Sequence, residues 1–114
     1  MEGFFRMAFT GAAGSGFGMI VFHEGSIAGA DVGGATYDGS YTDNQKTRTL
    51  EFQITMYAPA GMTPVQTGIP IAEPISLPFN GSISQDDLRD EKPTLLHTPL
   101  GPVNVLLKKV RDFP

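Results

Sequence analysis

Glycine and proline interrupt this chain about once in every five residues, with fourteen glycines and nine prolines among 114. Glycine costs about 1 kcal/mol and proline about 3 kcal/mol in a helix interior, so long helices are excluded. No Gly-X-Y period runs through the sequence, which excludes a collagen-like rod. The hydrophobic share is 40%, with 10% aromatic, enough to fill a core and to set the chain apart from disordered ones. What remains is one compact, turn-rich β domain spanning residues 1–114, because a chain of this length supports a single core.

Alternation of apolar and polar residues locates the strands. Leu50, Phe52, Ile54 and Met56 fall on one side, with Thr49, Glu51, Gln53, Thr55 and Tyr57 on the other, the pattern of a half-buried strand. Ile75, Leu77, Phe79, Gly81 and Ile83 alternate in the same way with Ser76, Pro78, Asn80, Ser82 and Ser84. Asn80-Gly81 is a strong hairpin dipeptide. The alternation nevertheless continues through it to Ile83, which places the turn later, near Asp86-Asp87. Pro78 cannot donate to a ladder, so it belongs on the polar face of an edge strand or at a bulge. Ser84 followed by Asp87 fits a one-turn helix cap at the start of Gln85–Lys92, and a solvated loop fits the same residues.

The first third reads as short strands separated by glycine turns. Phe5, Met7 and Phe9 alternate with Arg6, Ala8 and Thr10; Gly11–Gly16 turns the chain into a second strand, Phe17–His23. Glu24-Gly25 is a tight hairpin into Ser26–Asp31, and Gly33-Gly34 turns into Thr36–Thr42. Asp43-Asn44-Gln45 then leads into the Leu50 strand. Thr94–Thr98 and Val103–Val110, joined across Pro99-Leu100-Gly101-Pro102, bring the count to about eight. Residues 58–74 differ: prolines stand at 59, 64, 70 and 74 and Glu73 is the one charge, so an extended segment crossing the surface or mouth of the domain is expected. Eight short antiparallel strands lose their edges by closing into an up-and-down barrel, the all-β architecture expected here. A two-sheet sandwich is the other arrangement. In a barrel, Phe5, Met7, Phe52 and Ile54 point inward, where eight strands leave room for packed side chains or one small apolar ligand.

Chemistry is sparse. Eight basic against twelve acidic residues give a net charge of −4, which disfavours nucleic acid as a partner. The absence of cysteine removes disulfides, thiol nucleophiles and thiolate zinc sites. No signal-like N-terminus and no run of about 18 apolar residues is present, so a cytoplasmic protein without a membrane partner is the expectation. Gly11, Gly14, Gly16 and Gly18 lack the Gly-Lys-Ser/Thr and the following helix of a phosphate loop. His23 and His97 would have to converge with carboxylates such as Glu24 or Asp31 to form a dyad or metal site. Asp86, Asp87, Asp90 and Glu91 are interrupted by Arg89 and Lys92 and lack the spacing of a calcium loop. No catalytic residue, metal ligand or cofactor is assigned, and a protein without enzymatic activity is expected.

Three motifs carry a resemblance. Gly3-Phe4-Phe5 through Gly16-x-Gly18, then Gly25-Ser26-Ile27-x-Gly29-x-Asp31, then Tyr37-x-Gly39-x-Tyr41 are similar in order and spacing to the GrlR-like family of small bacterial proteins. Its founding members are negative regulators of type III secretion. The likeness spans roughly residues 3–57 and is looser from Ile75 to Val110. It implies a lipocalin-like eight-stranded barrel, often dimeric, that represses by binding a transcriptional activator protein. The activator-contacting acidic run implied after the fourth strand falls here on Asp43, Asn44, Gln45 and Lys46. Asp43 keeps the charge and Lys46 reverses it, so the secretion role is not carried over. Asp43, Asn44 and Gln45, with Met62, Val65 and Ile69 of the proline segment, are the expected partner contacts. The expected function is a non-enzymatic, homodimeric protein-interaction or regulatory module. The alternative is a carrier of a small apolar ligand inside the barrel.

Overall fold

The computed structural model describes residues 1–114. Its strands are β1 (Gly3–Gly11), β2 (Gly14–His23), β3 (Ser26–Asp31), β4 (Thr36–Asn44), β5 (Thr49–Ala58), β6 (Ile75–Ser84), β7 (Thr94–Thr98) and β8 (Gly101–Arg111). One short helix, α1 (Gln85–Arg89), lies between β6 and β7. All eight strands belong to one antiparallel sheet in the order β6-β5-β4-β3-β2-β1-β8-β7. The first six form a meander, and the β7–β8 hairpin returns so that β8 pairs with β1. The sheet thereby curls into a nearly closed up-and-down barrel, with β6 and β7 facing each other across the seam. No helix is long and apolar enough to cross a membrane.

The alternation that located the strands also fills the barrel. Phe5, Met7, Ile20, Phe22, Ile27, Leu50, Phe52 and Ile83 are buried in one core, each contributing about 1.5–3 kcal/mol if it is fully removed from water. Phe22 meets the rings of Phe5 and Tyr41 edge-on at 5.4 and 5.3 Å. A smaller cluster of Ala35, Met56 and Ala58 sits at the opposite end. On β6 every odd residue from Ile75 to Ile83 is turned inward and Pro78 is exposed, so the strand runs straight through Asn80-Gly81. The chain turns at α1 instead, where the Ser84 hydroxyl accepts from the Asp87 backbone N–H at 3.3 Å and caps the helix.

Two turns are tighter than the sequence signals. β2 begins at Gly14, and only Ala12-Ala13 separates it from β1. Glycines carry no side chain to show alternation, so the paired Gly14–Gly16 stretch reads as loop. Likewise Gly101 and Pro102 already belong to β8, opposite Thr98 and His97. At the β2–β3 hairpin, Glu24 and Gly25 both adopt positive φ (48° and 79°), the backbone of a two-residue turn whose twist matches the flanking strands.

Residues 58–74 lie across the barrel mouth, as a lid. Ala13 donates to the Val65 carbonyl at 2.8 Å, and Gln66 Nε2 donates to Thr98 Oγ1 at 3.3 Å. The lid also pairs with itself, Gly61 donating to the Ile71 carbonyl at 2.7 Å and Ile71 to that of Met62 at 2.8 Å. Pro64, within the lid, is fully buried.

Gly39, on the inner face between Tyr37 and Tyr41, illustrates how close the backbones approach. A Cβ there would stand 2.0 Å from the Gln53 carbonyl oxygen, whereas one on Gly14 meets nothing within 4 Å. Gly39→Ala is therefore expected to lose about 1–3 kcal/mol in urea unfolding, as other overpacked cores do. Gly14→Ala is expected to stay within about 0.5 kcal/mol of the parent in the same measurement.

Candidate functional site

The barrel encloses a cavity of about 80 Å³ lined by 23 residues, 20 of them hydrophobic. Met7, Phe52 and Ile54 are among its walls, as the sequence placed them. Phe5 is buried in the same core without lining the cavity. The few polar groups at the rim are engaged elsewhere: Gln66 bonds Thr98, and the Tyr37 hydroxyl donates to Asp31 Oδ2 at 2.6 Å. Asp31 Oδ1 in turn accepts from the backbone N–H groups of Gly33 and Ala35 at 2.9 and 3.2 Å. The lining is almost wholly apolar and leaves no buried polar atom unpaired, so the interior suits apolar matter.

A second polar cluster closes the other end. Tyr41 donates its hydroxyl to the Met1 carbonyl and lies 3.0 Å from Glu2 Oε2. The Glu24 backbone N–H donates to Glu2 at 2.7 Å and holds that carboxyl below the usual range, with Tyr41 and His23 adding to the effect. His23 Nδ1 is 3.2 Å from Glu2 Oε1, and its Nε2 is 3.8 Å from Glu24 Oε2. Its ring stacks on Phe113 with centroids 3.7 Å apart. His97 does not join this group. It pairs opposite Pro102 at the start of β8, while His23 lies where β2 ends, beside the β1 residues that pair with the far end of β8. The two imidazoles occupy opposite ends of the barrel.

The partner-contacting candidates are likewise divided between the two ends. Asp43, Asn44 and Gln45 sit at the α1 end, and each of the first two has internal work. Asp43 pairs with the Met1 ammonium group at 2.5 Å, while Asn44 Oδ1 accepts from the Lys46 and Thr47 backbones at 3.0 and 3.3 Å. Gln45 is exposed. Met62 and Val65 belong to the lid at the far end, are half-buried and line the cavity; Ile69 alone of the lid's three is exposed. These six residues do not form one surface.

The outer faces hold what single-strand reading missed. On β1–β3, Phe17 is 63% exposed and Val32 67% exposed, and Val32 donates its backbone N–H to Phe17 at 3.0 Å. Met19 follows on β2, and the register sets Ala8 and Leu106 beside Phe17, with Ala30 on one side of Met19 and Arg6 on the other. Together they make an apolar strip. On the opposite side, β4, β5 and β6 present five outward rows: Thr36–Tyr57–Ser76, Asp38–Thr55–Pro78, Ser40–Gln53–Asn80, Thr42–Glu51–Ser82 and Asn44–Thr49–Ser84. Eleven of these fifteen positions are Ser, Thr, Asn or Gln, and none is Lys or Arg. Alternation marked each residue as outward; only cross-strand register assembles the rows.

Comparison with protein-family models, with curated proteins and with solved structures finds no match to this chain.

The Tyr37–Asp31 bond generates a pH prediction. Burial, reinforced by the Asp31 carboxylate, pushes the Tyr37 hydroxyl above its ordinary 10.0, so the folded state favours the protonated form. That contribution is complete below pH 10 and is lost as pH rises beyond it. Tyr37→Phe is expected to cost about 1 kcal/mol at neutral pH through the lost hydrogen bond. It should also flatten the alkaline decline seen for the parent when both are unfolded by urea across a pH series.

Proposed function

We propose that this protein is a non-enzymatic interaction module that works by binding another protein. The observation that supports the reading is the apolar strip of Phe17, Met19 and Val32 on the outer surface of β1–β3. Exposed apolar residues scattered singly are ordinary, but contiguous ones mark contact surfaces. Here two large side chains more than 60% exposed are joined by a backbone hydrogen bond. Ala8 and Ala30 on the neighbouring strands keep the strip low, and Arg6, opposite Met19, gives it a basic margin. The resemblance to GrlR-like regulators points the same way, toward a barrel that represses by holding an activator protein. A second copy of the chain is a further occupant of the strip, giving the homodimer expected from the sequence.

An apolar ligand in the lumen is the second reading, supported by the hydrophobic lining. Its size limits it: a cavity of about 150 Å³ takes benzene, and this one is about 80 Å³. Larger molecules require the lid at 58–74 to lift.

Phe17→Glu/Val32→Glu tests the principal reading. Both side chains are exposed, so the thermal midpoint is expected to hold within a few degrees. In extracts of the native host the parent should capture a specific protein that the double variant does not. In sedimentation at high concentration a dimer, if the strip is the contact between copies, should fall to a 12.2 kDa species in the variant. Identical capture and identical sedimentation for both proteins would sink the proposal.

A further inference from the structure

The cations of this barrel are unevenly engaged. Arg48 and Arg89 pair with Asp86, and Lys109 pairs with Asp112. Arg6 and Lys108 pair with no carboxylate; they stand opposite each other on β1 and β8, both exposed. Met19 lies across from Arg6 on β2, and the Leu106–Ala8–Phe17 row follows one step along the strands. This wall carries no acid: no outward residue of β1, β2 or β3 is Asp or Glu, nor is Asn104, Leu106 or Lys108. Going round from β1 through β2, the first outward carboxylate is Asp38, opposite Ala28 on β4. That is three strands away, about 14 Å at the usual strand spacing. In a chain of net charge −4, an apolar strip edged by two free cations and cleared of carboxylates is a local reversal of sign.

We propose that the strip takes an acidic, apolar segment of a partner protein, with carboxylates on Arg6 and Lys108 and hydrophobic side chains on Phe17, Met19 and Val32. The inference rests on the strip being a protein contact and adds the chemistry of the partner. Lys108, Arg6 and Met19 occupy successive strands about 4.8 Å apart, and the Leu106–Ala8–Phe17 row is two residues, about 7 Å, further on. The partner must hold a carboxylate at a similar distance from an apolar group. On a helix, residues three or four apart meet that spacing, with Cβ atoms about 5–6 Å from each other. Exposed ion pairs of this kind add little affinity singly; they orient the partner, speed encounter and turn away basic segments. A second copy meeting strip on strip about a twofold axis would bring four cations and no acid into one contact. A bilayer takes up side chains that reach well into it, whereas Ala8 and Ala30 keep this strip low.

The test is selection of a random peptide library on the immobilised protein, with counter-selection on Phe17→Glu/Val32→Glu. Enriched peptides are expected to carry Asp or Glu within a helical turn of a large apolar residue. They should bind Arg6→Glu/Lys108→Glu about tenfold more weakly, at an unchanged thermal midpoint because both side chains are exposed. Raising salt from about 0.15 M to about 0.5 M should weaken binding to the parent about threefold. Exchanging the acids of an enriched peptide for Lys should restore binding to the charge-reversed variant and abolish it with the parent. Failure to enrich any peptide over the counter-selecting variant would remove the strip as a contact, and this inference with it. Enriched peptides without acids, or with equal affinity for the charge-reversed variant, would leave the strip standing and overturn the acidic partner. A parent dimer that Arg6→Glu/Lys108→Glu dissociates would overturn it in favour of a second copy. Sedimentation with phosphatidylglycerol vesicles, lost in the same variant, would overturn it in favour of a membrane.

Discussion

A sheet with one apolar face survives in water only when that face is enclosed, and here enclosure depends on the first strand pairing with the last. β1 and β8 run antiparallel from Phe4 opposite Arg111 to Thr10 opposite Asn104, with a register shift between Phe4 and Phe5. That ladder gives β1 neighbours on both sides and brings Leu107 beside Met7 in the core. It also carries the C-terminus back over the barrel end, where Phe113 lies between Phe4 and His23, 5.5 and 3.7 Å away by ring centroid. The Arg111 guanidinium stands over the Phe4 ring at 5.9 Å, within cation–π range. The Met1 ammonium pairs with Asp43, so both chain ends are tied to the same rim. Such a contact joins residues separated by nearly the whole chain, and its loop-closure entropy must be met before it stabilises anything. The meander of β1–β6 is local and is the part of the fold that can form first.

What the sequence made legible follows from that division. Local features show in one dimension: the period-2 alternation of Leu50–Tyr57 and Ile75–Ser84, the Glu24-Gly25 hairpin, the Ser84 cap. Strand count and barrel closure follow from them, because eight strands with one apolar face leave few ways to hide it. Non-local features stay hidden. Nothing in Met62 or Val65 shows that the lid would fold them inward, since an apolar residue in a proline-rich segment reads the same on either side. The Glu2–Tyr41–His23 clasp joins three strands' ends and has no spacing signature. Asp43 and Asn44, picked out through a family resemblance, are engaged in holding the N-terminus and the β4–β5 turn. The apolar strip was within reach, because Phe17 and Met19 alternate with Gly16 and Gly18. On a strand with glycine on one face, the large residues look like the core face, and the structure turns them outward.

That inversion is a consequence of how the lumen is filled. A Cβ on Gly16 would meet the Phe9 ring at 2.6 Å, and one on Gly81 the Phe52 ring at 3.0 Å. Aromatic rings from one strand thus lie over glycines of the next, and the space an eight-stranded barrel provides is largely taken up by them. The residual cavity of about 80 Å³ is what this packing leaves. A carrier barrel with the same strand count would place small residues without rings to cover them.

Glycine also sets how closely β4, β5 and β6 approach one another. Gly39 and Gly81 lie on the inner face of β4 and β6, opposite Ile54 and Phe52 of β5. Gly39 in particular approaches the β5 backbone so closely that no side chain fits there. The outward neighbours Ser40 and Asn80 flank Gln53 on the exposed face. Whatever this barrel binds, its geometry directs recognition to the outside.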